Sequence, residues 1–433
     1  MALESLGIIL VILLVLLAAG VPISYAIGIS SLAAILRIMP LHVSVVTAAQ
    51  RTFVGMSKFS LTAIPFFILA GNLMNQGGIA KRLVDFVGAL LGKLPGALLV
   101  TNVGANALFG AISGSASAAA AAVGNMVLPG EEEQGYDGAL CAAVNGASAP
   151  SGLLIPPSNA LITYSLVSGG TSVAALFLAG YLPGIIWAVC CMAVAVMIAR
   201  KKGYYGAGKA FRPGSLSVVT LRAIPALSLI VVVIGGIVGG IFTATEGSAI
   251  AVVYALILGI LYRNITWGSF CKIVTESARM SGMIVFLIGV SNILSWVMAF
   301  TQIPQAISEV LLGITNNKYL LLLIMNVILL TAGTFMDVTP AILIFTPLFL
   351  PIVTGFGMSP VQFGLMLTYN LCIGNITPPV GNTLFVAVKV GKTSLARVMP
   401  YMLMFYAAIL IGLLLVTYVP AVSMTLPHLA GIS

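Results

Sequence analysis

Apolar residues run along this chain in blocks of roughly 20, the length that carries an α-helix across a bilayer, and polar residues fill the gaps between them. The blocks run from Leu6 to Leu36, Leu61 to Met74, Val173 to Ala199, Ile224 to Ile241, Ala249 to Tyr262, Leu320 to Thr334 and Tyr401 to Val419. The first is long enough for two spans that meet near Gly20-Val21-Pro22, where glycine and proline interrupt a helix. Because its apolar character continues past position 36 and it carries no early Lys or Arg, it is expected as a retained span and not a cleaved leader. Several blocks are short or broken by Gly and Pro. The pattern predicts an all-α polytopic membrane protein with about ten to twelve crossings, plus segments that enter and turn back.

Composition supports this. Of 433 residues, 60% are hydrophobic and 7% charged, against roughly a quarter charged in soluble domains. The net charge of +9, from 19 Lys and Arg against 10 Asp and Glu, sits in short links, so it reads as a device for orientation in the membrane and no nucleic-acid partner is expected. The most basic link, Arg200-Lys201-Lys202 through Lys209, Arg212 and Arg222, is placed in the cytoplasm. The acidic run Glu131-Glu132-Glu133 reads as a solvated loop end. Five cysteines without paired spacing, and His42 and His428 without ligand-spaced partners, suggest no disulfide, zinc site or organic cofactor.

An internal repeat divides the chain. Pro129 pairs with Pro351, Gly135 with Gly357 and Pro156-Pro157 with Pro378-Pro379, each at a separation of 222. At that offset Ser113-Gly114-Ser115 aligns with Phe335-Met336-Asp337. Asn159 and Asn382 follow the double prolines one residue out of register, and Asn72 and Asn292 differ by 220. Two such halves, interrupted at matching places, are the pattern of repeat-built secondary transporters; the repeats are inverted if each holds an odd number of crossings. A duplicated bundle with no transport role is the other reading, against which a double proline within lipid weighs.

Each half holds two irregular elements: a small-residue turn (Ile112 to Ser117; Gly333 to Pro340) and a polar break (Asn145 to Asn159; Asn370 to Thr383). Proline lacks an N–H and clashes with the preceding turn, so each Pro-Pro frees backbone carbonyls. In hydrocarbon an unpaired carbonyl costs several kcal/mol, so these must line an enclosed cavity or ligate something. Sodium, a hard cation that takes oxygen donors, fits, and half-helix N-termini beside it suit an anionic group such as a carboxylate. Asp337 reads either as part of an ion or proton pathway or as a helix cap at an exposed turn. The Ser113 to Ser115 turn reads either as a site or as close packing of small residues; the same distance, 41 residues, separates Ser115 from Pro156 and Asp337 from Pro378. Glu246 reads as structural, paired with a basic residue, or as part of a proton path.

Taken together, Gly20-Val21-Pro22, Ser113-Gly114-Ser115, Gly135-Tyr136-Asp137, Ile155 to Ser158, Leu176 to Gly180 with Pro183-Gly184, the run Gly240 to Glu246, Met336-Asp337, Pro347 with Pro351, and Thr377 to Gly381 resemble the large membrane (M) subunit of the tripartite ATP-independent periplasmic (TRAP) transporters. They span nearly the whole chain, and the ordered set is specific where any one piece is weak. The resemblance implies an elevator-type ion-transporter fold in a bacterial inner membrane. It also implies a small membrane (Q) subunit, a periplasmic solute-binding (P) protein, sodium as coupling ion, and a small organic acid such as a dicarboxylate, keto acid, sugar acid or sialic acid as solute. Carried over by position, one sodium site falls on Ser113, Gly114, Ser115, Asn145, Gly152 and Pro156, and a second on Met336, Asp337, Val338, Gly374, Ile376 and Pro378. Between them the solute meets Ser115, Ser117, Pro157, Ser158, Asn159, Thr339, Asn375, Thr377, Pro379 and Asn382, while Glu246 is structural. Scaffold helices are expected at 1–60, 173–280 (with the cytoplasmic link) and 395–433, and transport cores at 61–172 and 281–394. Ala119 stands where many members have Asp, and Ala244 where the family often has Pro. Two other readings stand beside this one. The first is a self-sufficient divalent-anion sodium symporter; the second is a membrane-embedded enzyme, for which no His or acid pair or metal set is visible.

Overall fold

The computed structural model describes residues 2–204, 216–315 and 317–432. Lys209 and Arg212 of the basic link lie outside the described residues. Within them the chain is helical throughout, with no strand.

The first half holds α1 (Ala2–Ala18), α2 (Ile23–Ile38), α3 (Leu41–Met56), α4 (Ala63–Gln76), α5 (Ile79–Leu91), α6 (Ala97–Ser113), α7 (Ala116–Glu133), α8 (Gly138–Ser148), α9 (Ser151–Leu154), α10 (Asn159–Val167) and α11 (Val173–Lys202). The second holds α12 (Leu216–Val238), α13 (Ala244–Leu261), α14 (Trp267–Phe300), α15 (Ile303–Ile314), α16 (Lys318–Gly333), α17 (Val338–Gly355), α18 (Pro360–Gly374), α19 (Asn382–Val390), α20 (Leu395–Tyr418) and α21 (Pro420–Leu429). The offset of 222 carries over to the elements: α7 and α17 begin at 116 and 338, α8 and α18 at 138 and 360, and α11 and α20 at 173 and 395. Among the described residues six helices are long and apolar enough to cross a bilayer alone, or eight with the pairs α3–α4 and α8–α10, which bend by 59° and 47°. The expected ten to twelve crossings counted shorter apolar stretches as well. The long N-terminal block divides as expected, with Gly20 at φ 78 and Pro22 as the N-cap of α2.

Local chemistry sets the ends. Ser115, Asp137, Ser158, Ser172 and Asp337 each accept a backbone N–H at a helix start. At α13 Thr243 and Glu246 form a reciprocal capping box, the Glu246 carboxylate accepting from Thr243 N at 2.7 Å. The expected basic partner of Glu246 is therefore replaced by a helix N-terminus, and among the described residues it joins no ion pair.

Helices α6 and α7 form a hairpin that enters and leaves by one face. Gly96 N–H donates to the Tyr204 carbonyl at 2.8 Å, and at the other end Tyr136 stacks on the Tyr204 ring at 4.2 Å. Beside this base Lys202 meets Asp137 and Tyr401, both at 2.6 Å. The equivalent hairpin, α16 with α17, has its base at the far end of α20, where the Tyr418 hydroxyl donates to the Tyr319 carbonyl at 2.9 Å. Tyr401 and Tyr418 lie about 26 Å apart along one helix at 1.5 Å per residue. The two hairpins thus enter from opposite faces, and the repeats are inverted.

Two bodies of helices follow from the packing. Helices α1–α4 and α12–α14 pack among themselves, chiefly α13 on α4 and α14 on α2 and α3, while α5 packs on α6 as well as on α12 and so bridges to the other body. The hairpins and broken helices form the other body, in which α19 packs on α7 and α8, and α10 on α17. Helices α11 and α20, assigned by sequence to the scaffold, pack chiefly on each other, on α21 and on α6, α8, α9 and α18.

Candidate functional site

At the tip of the first hairpin, Gly114 turns the chain at φ 62, a conformation that favours glycine. Ser115 then caps α7 by accepting from Ala118 N at 3.3 Å, and its hydroxyl meets that of Ser117 at 3.2 Å. Ser113 Oγ points back at the Gly110 and Ser115 carbonyls, at 3.5 and 3.4 Å. The broken helix faces this tip. After α9 the chain leaves helical geometry at Ile155, passes the cis bond Pro156-Pro157 and resumes at Ser158. Ser158 Oγ bridges the gap, donating to the Leu153 carbonyl and accepting from Leu161 N. Tip and break touch: a Cβ on Gly114 would lie 2.6 Å from Asn159 Nδ2, and one on Gly152 would lie 2.2 Å from Gly110 Cα.

The second half repeats this. Asp337 caps α17, accepting from Val338 N at 2.8 Å, and lies exposed at the tip. Met336 and Thr339 beside it are half-buried, and Val338 is buried. A Cβ on Gly374 would lie 2.4 Å from Gly333 C, and Val380 N–H donates to the Thr334 carbonyl at 3.2 Å. Through the break, Thr377 Oγ1 donates to the Ile373 carbonyl at 2.7 Å, and Thr383 N–H reaches the Asn375 carbonyl at 3.2 Å. The Ile376 carbonyl accepts from the Tyr406 hydroxyl of α20 at 2.6 Å. The bond Pro378-Pro379 is also cis, with Pro379 and Asn382 exposed.

Each half therefore sets two helix N-termini side by side, α7 with α10 and α17 with α19, and such ends carry a partial positive charge that favours anions. Oxygen donors are also present. Asn159 Oδ1 and Thr383 Oγ1, two residues out of register in the repeat, are buried without a hydrogen-bond partner, as is Asn370 Oδ1. These are hard oxygen donors of the kind that sodium takes, and they belong to the two broken segments, a donor chemistry there that suits the ion.

Asn145 is tied into a buried amide ladder. Its Nδ2 donates to the Ala120 carbonyl at 2.8 Å, and its Oδ1 accepts from Asn106 Nδ2 at 3.0 Å. Asn106 also donates to Asn102 Oδ1 at 2.7 Å and to Ser148 Oγ at 2.9 Å. The second half has its counterpart: Asn370 Nδ2 donates to Asn326 Oδ1 at 2.8 Å, and Asn326 to Thr417 Oγ1 at 3.2 Å. Sequence reasoning missed Asn102, Asn106 and Asn326; an Asn pair four apart in an apolar helix was the available signal. The Glu131 expectation is overturned: its side chain is 2% exposed, and only Glu132 and Glu133 face out. A cavity of about 550 Å³ is lined by Lys58, Ser60, Ser165, Thr243 and Thr245 among others, and by none of the residues named for sodium or solute.

The family model for the tripartite ATP-independent periplasmic transporter DctM component matches residues 10–422. An uncharacterized protein, YgiK, of Salmonella typhimurium is 50% identical over 96% of this chain and 95% of its own. The isethionate TRAP transporter permease protein DctMQ of Oleidesulfovibrio alaskensis is 39% identical over 94% of this chain and 64% of its own length. The C4-dicarboxylate TRAP transporter large permease protein DctM of Rhodobacter capsulatus is 37% identical over 97% and 98%. Among solved structures, the Alcanivorax borkumensis YdaH transporter aligns with a TM-score of 0.59 at 15% identity, over 83% of this chain and 85% of that one, a likeness of fold. Paired hairpins and broken helices, and a family match across nearly the whole chain, place this multi-pass membrane protein in the DctM family of TRAP transporter large permease subunits.

Proposed function

We propose that this chain carries a small organic acid into the cell against its gradient, coupled to sodium, as the large permease subunit of a three-part system in the inner membrane. The observation that carries the reading is the contact of each hairpin tip with a broken helix, at Gly114 with Asn159 and at Thr334 with Val380. Sodium would be held by Ser113, Gly114, Ser115, Asn145, Gly152 and Pro156 in one half. In the other half it would be held by Met336, Asp337, Val338, Gly374, Ile376 and Pro378. Bound there, it supplies positive charge that lets an acid enter a site of low dielectric. The solute's anionic group is oriented by the N-termini of α10 and α19 and by Ser117, Ser158, Asn159, Thr339, Asn375, Thr377 and Asn382. Relatives named for isethionate, for C4-dicarboxylates and for sialic acid support an organic acid as the solute.

In this reading the body of hairpins moves as a unit against α1–α4 and α12–α14, an elevator motion. A small membrane subunit braces the scaffold, and a periplasmic binding protein delivers the acid; the DctMQ relative extends well beyond its match to this chain. The test is uptake of candidate acids into vesicles driven by a sodium gradient, with and without the two partner proteins. Uptake that requires all three and sodium is expected. Uptake without a binding protein would instead make this a self-sufficient symporter. Asp337→Ala should lower sodium-dependent uptake while leaving the protein folded in detergent; unaltered sodium dependence would remove Asp337 from the site.

A further inference from the structure

At the base of the first hairpin, Glu131 is 2% exposed and its Oε1 has no hydrogen-bond partner. Its polar neighbours are the Cys141 thiol and the Asn102 side chain, and with Asn145 they line a small cavity between α7, α8 and α19. The basic side chains near this base are held elsewhere, Lys392 on Glu132 at 3.1 Å and Lys202 on Asp137 at 2.6 Å. A buried carboxylate with no counter-charge carries a large desolvation cost, which a proton, a cation or hydrogen-bond donors relieve, and the donors here are one thiol and one amide.

The surroundings supply oxygen. Asn102 accepts from Asn106, which also touches Asn145 and Ser148 of the broken helix. Asn106 Oδ1 and the Tyr136 hydroxyl are buried and unpartnered, as Glu131 Oε1 is. Orphaned oxygens therefore occur at Asn106, beside the broken helix, at Glu131 and at Tyr136, which stacks on Tyr204 at the membrane face bearing Arg200 to Lys202. The other repeat has no such path: at the offset of 222, Glu131 corresponds to Val353 and Asn102 to Ile324.

We propose that Glu131 forms an inner cation site, which takes the coupling sodium from the broken helix by way of Asn106 and Asn102 and releases it at the face bearing Lys202. This rests on the sodium coupling proposed above. The experiment uses the complete three-part complex in vesicles, with binding protein added outside so that only molecules of one orientation report. Sodium inside the vesicle inhibits net uptake by occupying the inner site. E131Q keeps the shape and removes the charge. It should raise the internal sodium needed for half-inhibition tenfold or more, with the external sodium needed for half-maximal uptake unchanged. E131D should retain the wild-type response, as should E132Q at the exposed neighbour. Asn102→Ala should act in the direction of E131Q, and it is the second variant if E131Q fails to assemble. Sodium-driven uptake with wild-type internal inhibition in both E131Q and Asn102→Ala overturns the inner site alone. Wild-type uptake indifferent to external sodium overturns the coupling itself.

Discussion

Gly152 and Gly110 meet backbone to backbone, so closely that a Cβ on Gly152 would lie 2.2 Å from Gly110 Cα. The second repeat has the same contact between Gly374 and Gly333, where a Cβ on Gly374 would lie 2.4 Å from Gly333 C. No flexible side chain can yield at either place, because the obstacle is main chain. Gly152→Ala and Gly374→Ala must push hairpin and broken helix apart, an overpacking that costs about 1–3 kcal/mol. Each variant should melt at lower temperature in detergent and lose uptake. Gly282→Ala in α14, where a Cβ meets nothing within 4 Å, should do neither. Normal uptake by Gly152→Ala would show that transport does not depend on this close approach.

At the base of the first hairpin, Asp137 accepts from Lys202 and Tyr401, both at 2.6 Å, and from Ala139 N at 2.9 Å. Partial burial pushes its carboxyl up, but these three hydrogen bonds and the Lys202 charge outweigh that and hold it down at about 2. A carboxyl lowered in the folded state lends stability above its unfolded value, near 3.9, and that stability is lost as pH falls toward 2. The melting temperature of the wild type should therefore fall between about pH 4 and 2 more steeply than that of Asp137→Asn. Parallel curves for the two would remove this contact from the acid response. The pair is about one-third exposed, so its contribution is modest.

The breaks and tips were legible because glycine and proline act on their own backbone. The first hairpin arm ends at Ser113, α18 at Gly374, and α10 and α19 start at Asn159 and Asn382, all within the segments read from the sequence. The repeat was legible for the same reason, since its markers were Pro and Gly. What escaped is which helix faces meet. Helices α11 and α20 carry the hydropathy of ordinary spans, and hydropathy does not say whether lipid or protein covers them. Glu131 was hidden in an acidic run, yet successive helical residues point about 100° apart, so one member of the run turns inward while Glu132 and Glu133 stay out. Asn102 and Asn106 share one face of α6, and their role emerged only with Asn145 opposite.

In the second repeat the buried pair Asn370 and Asn326 is suited to a double-mutant cycle. Asn370 Nδ2 donates to Asn326 Oδ1 at 2.8 Å and to the Asn326 carbonyl at 3.0 Å. Asn370→Leu would strand the Asn326 side-chain oxygen, at a cost of about 1–3 kcal/mol. Replacing both partners with leucine removes the stranded group as well. The double variant should therefore be destabilised by less than the sum of the singles, by about 0.5 kcal/mol or more. Additive losses on unfolding in detergent would mean that the two amides do not support each other.

The Ile376 carbonyl, a candidate sodium donor freed by the second double proline, is held by the Tyr406 hydroxyl at 2.6 Å. A carbonyl oxygen has two lone pairs, so this bond leaves one for a cation while fixing where it points. Tyr406 is thus a positioning residue, acting on the ion through Ile376. Tyr406→Phe removes the hydroxyl and keeps the ring, and the lost bond is of the order of 0.5–1.5 kcal/mol. If the carbonyl ligates sodium, the sodium needed for half-maximal uptake should rise about 2- to 10-fold, in step with that energy. A variant with the wild-type sodium requirement and a lowered melting temperature would make Tyr406 a tether for the break with no hand in the ion site.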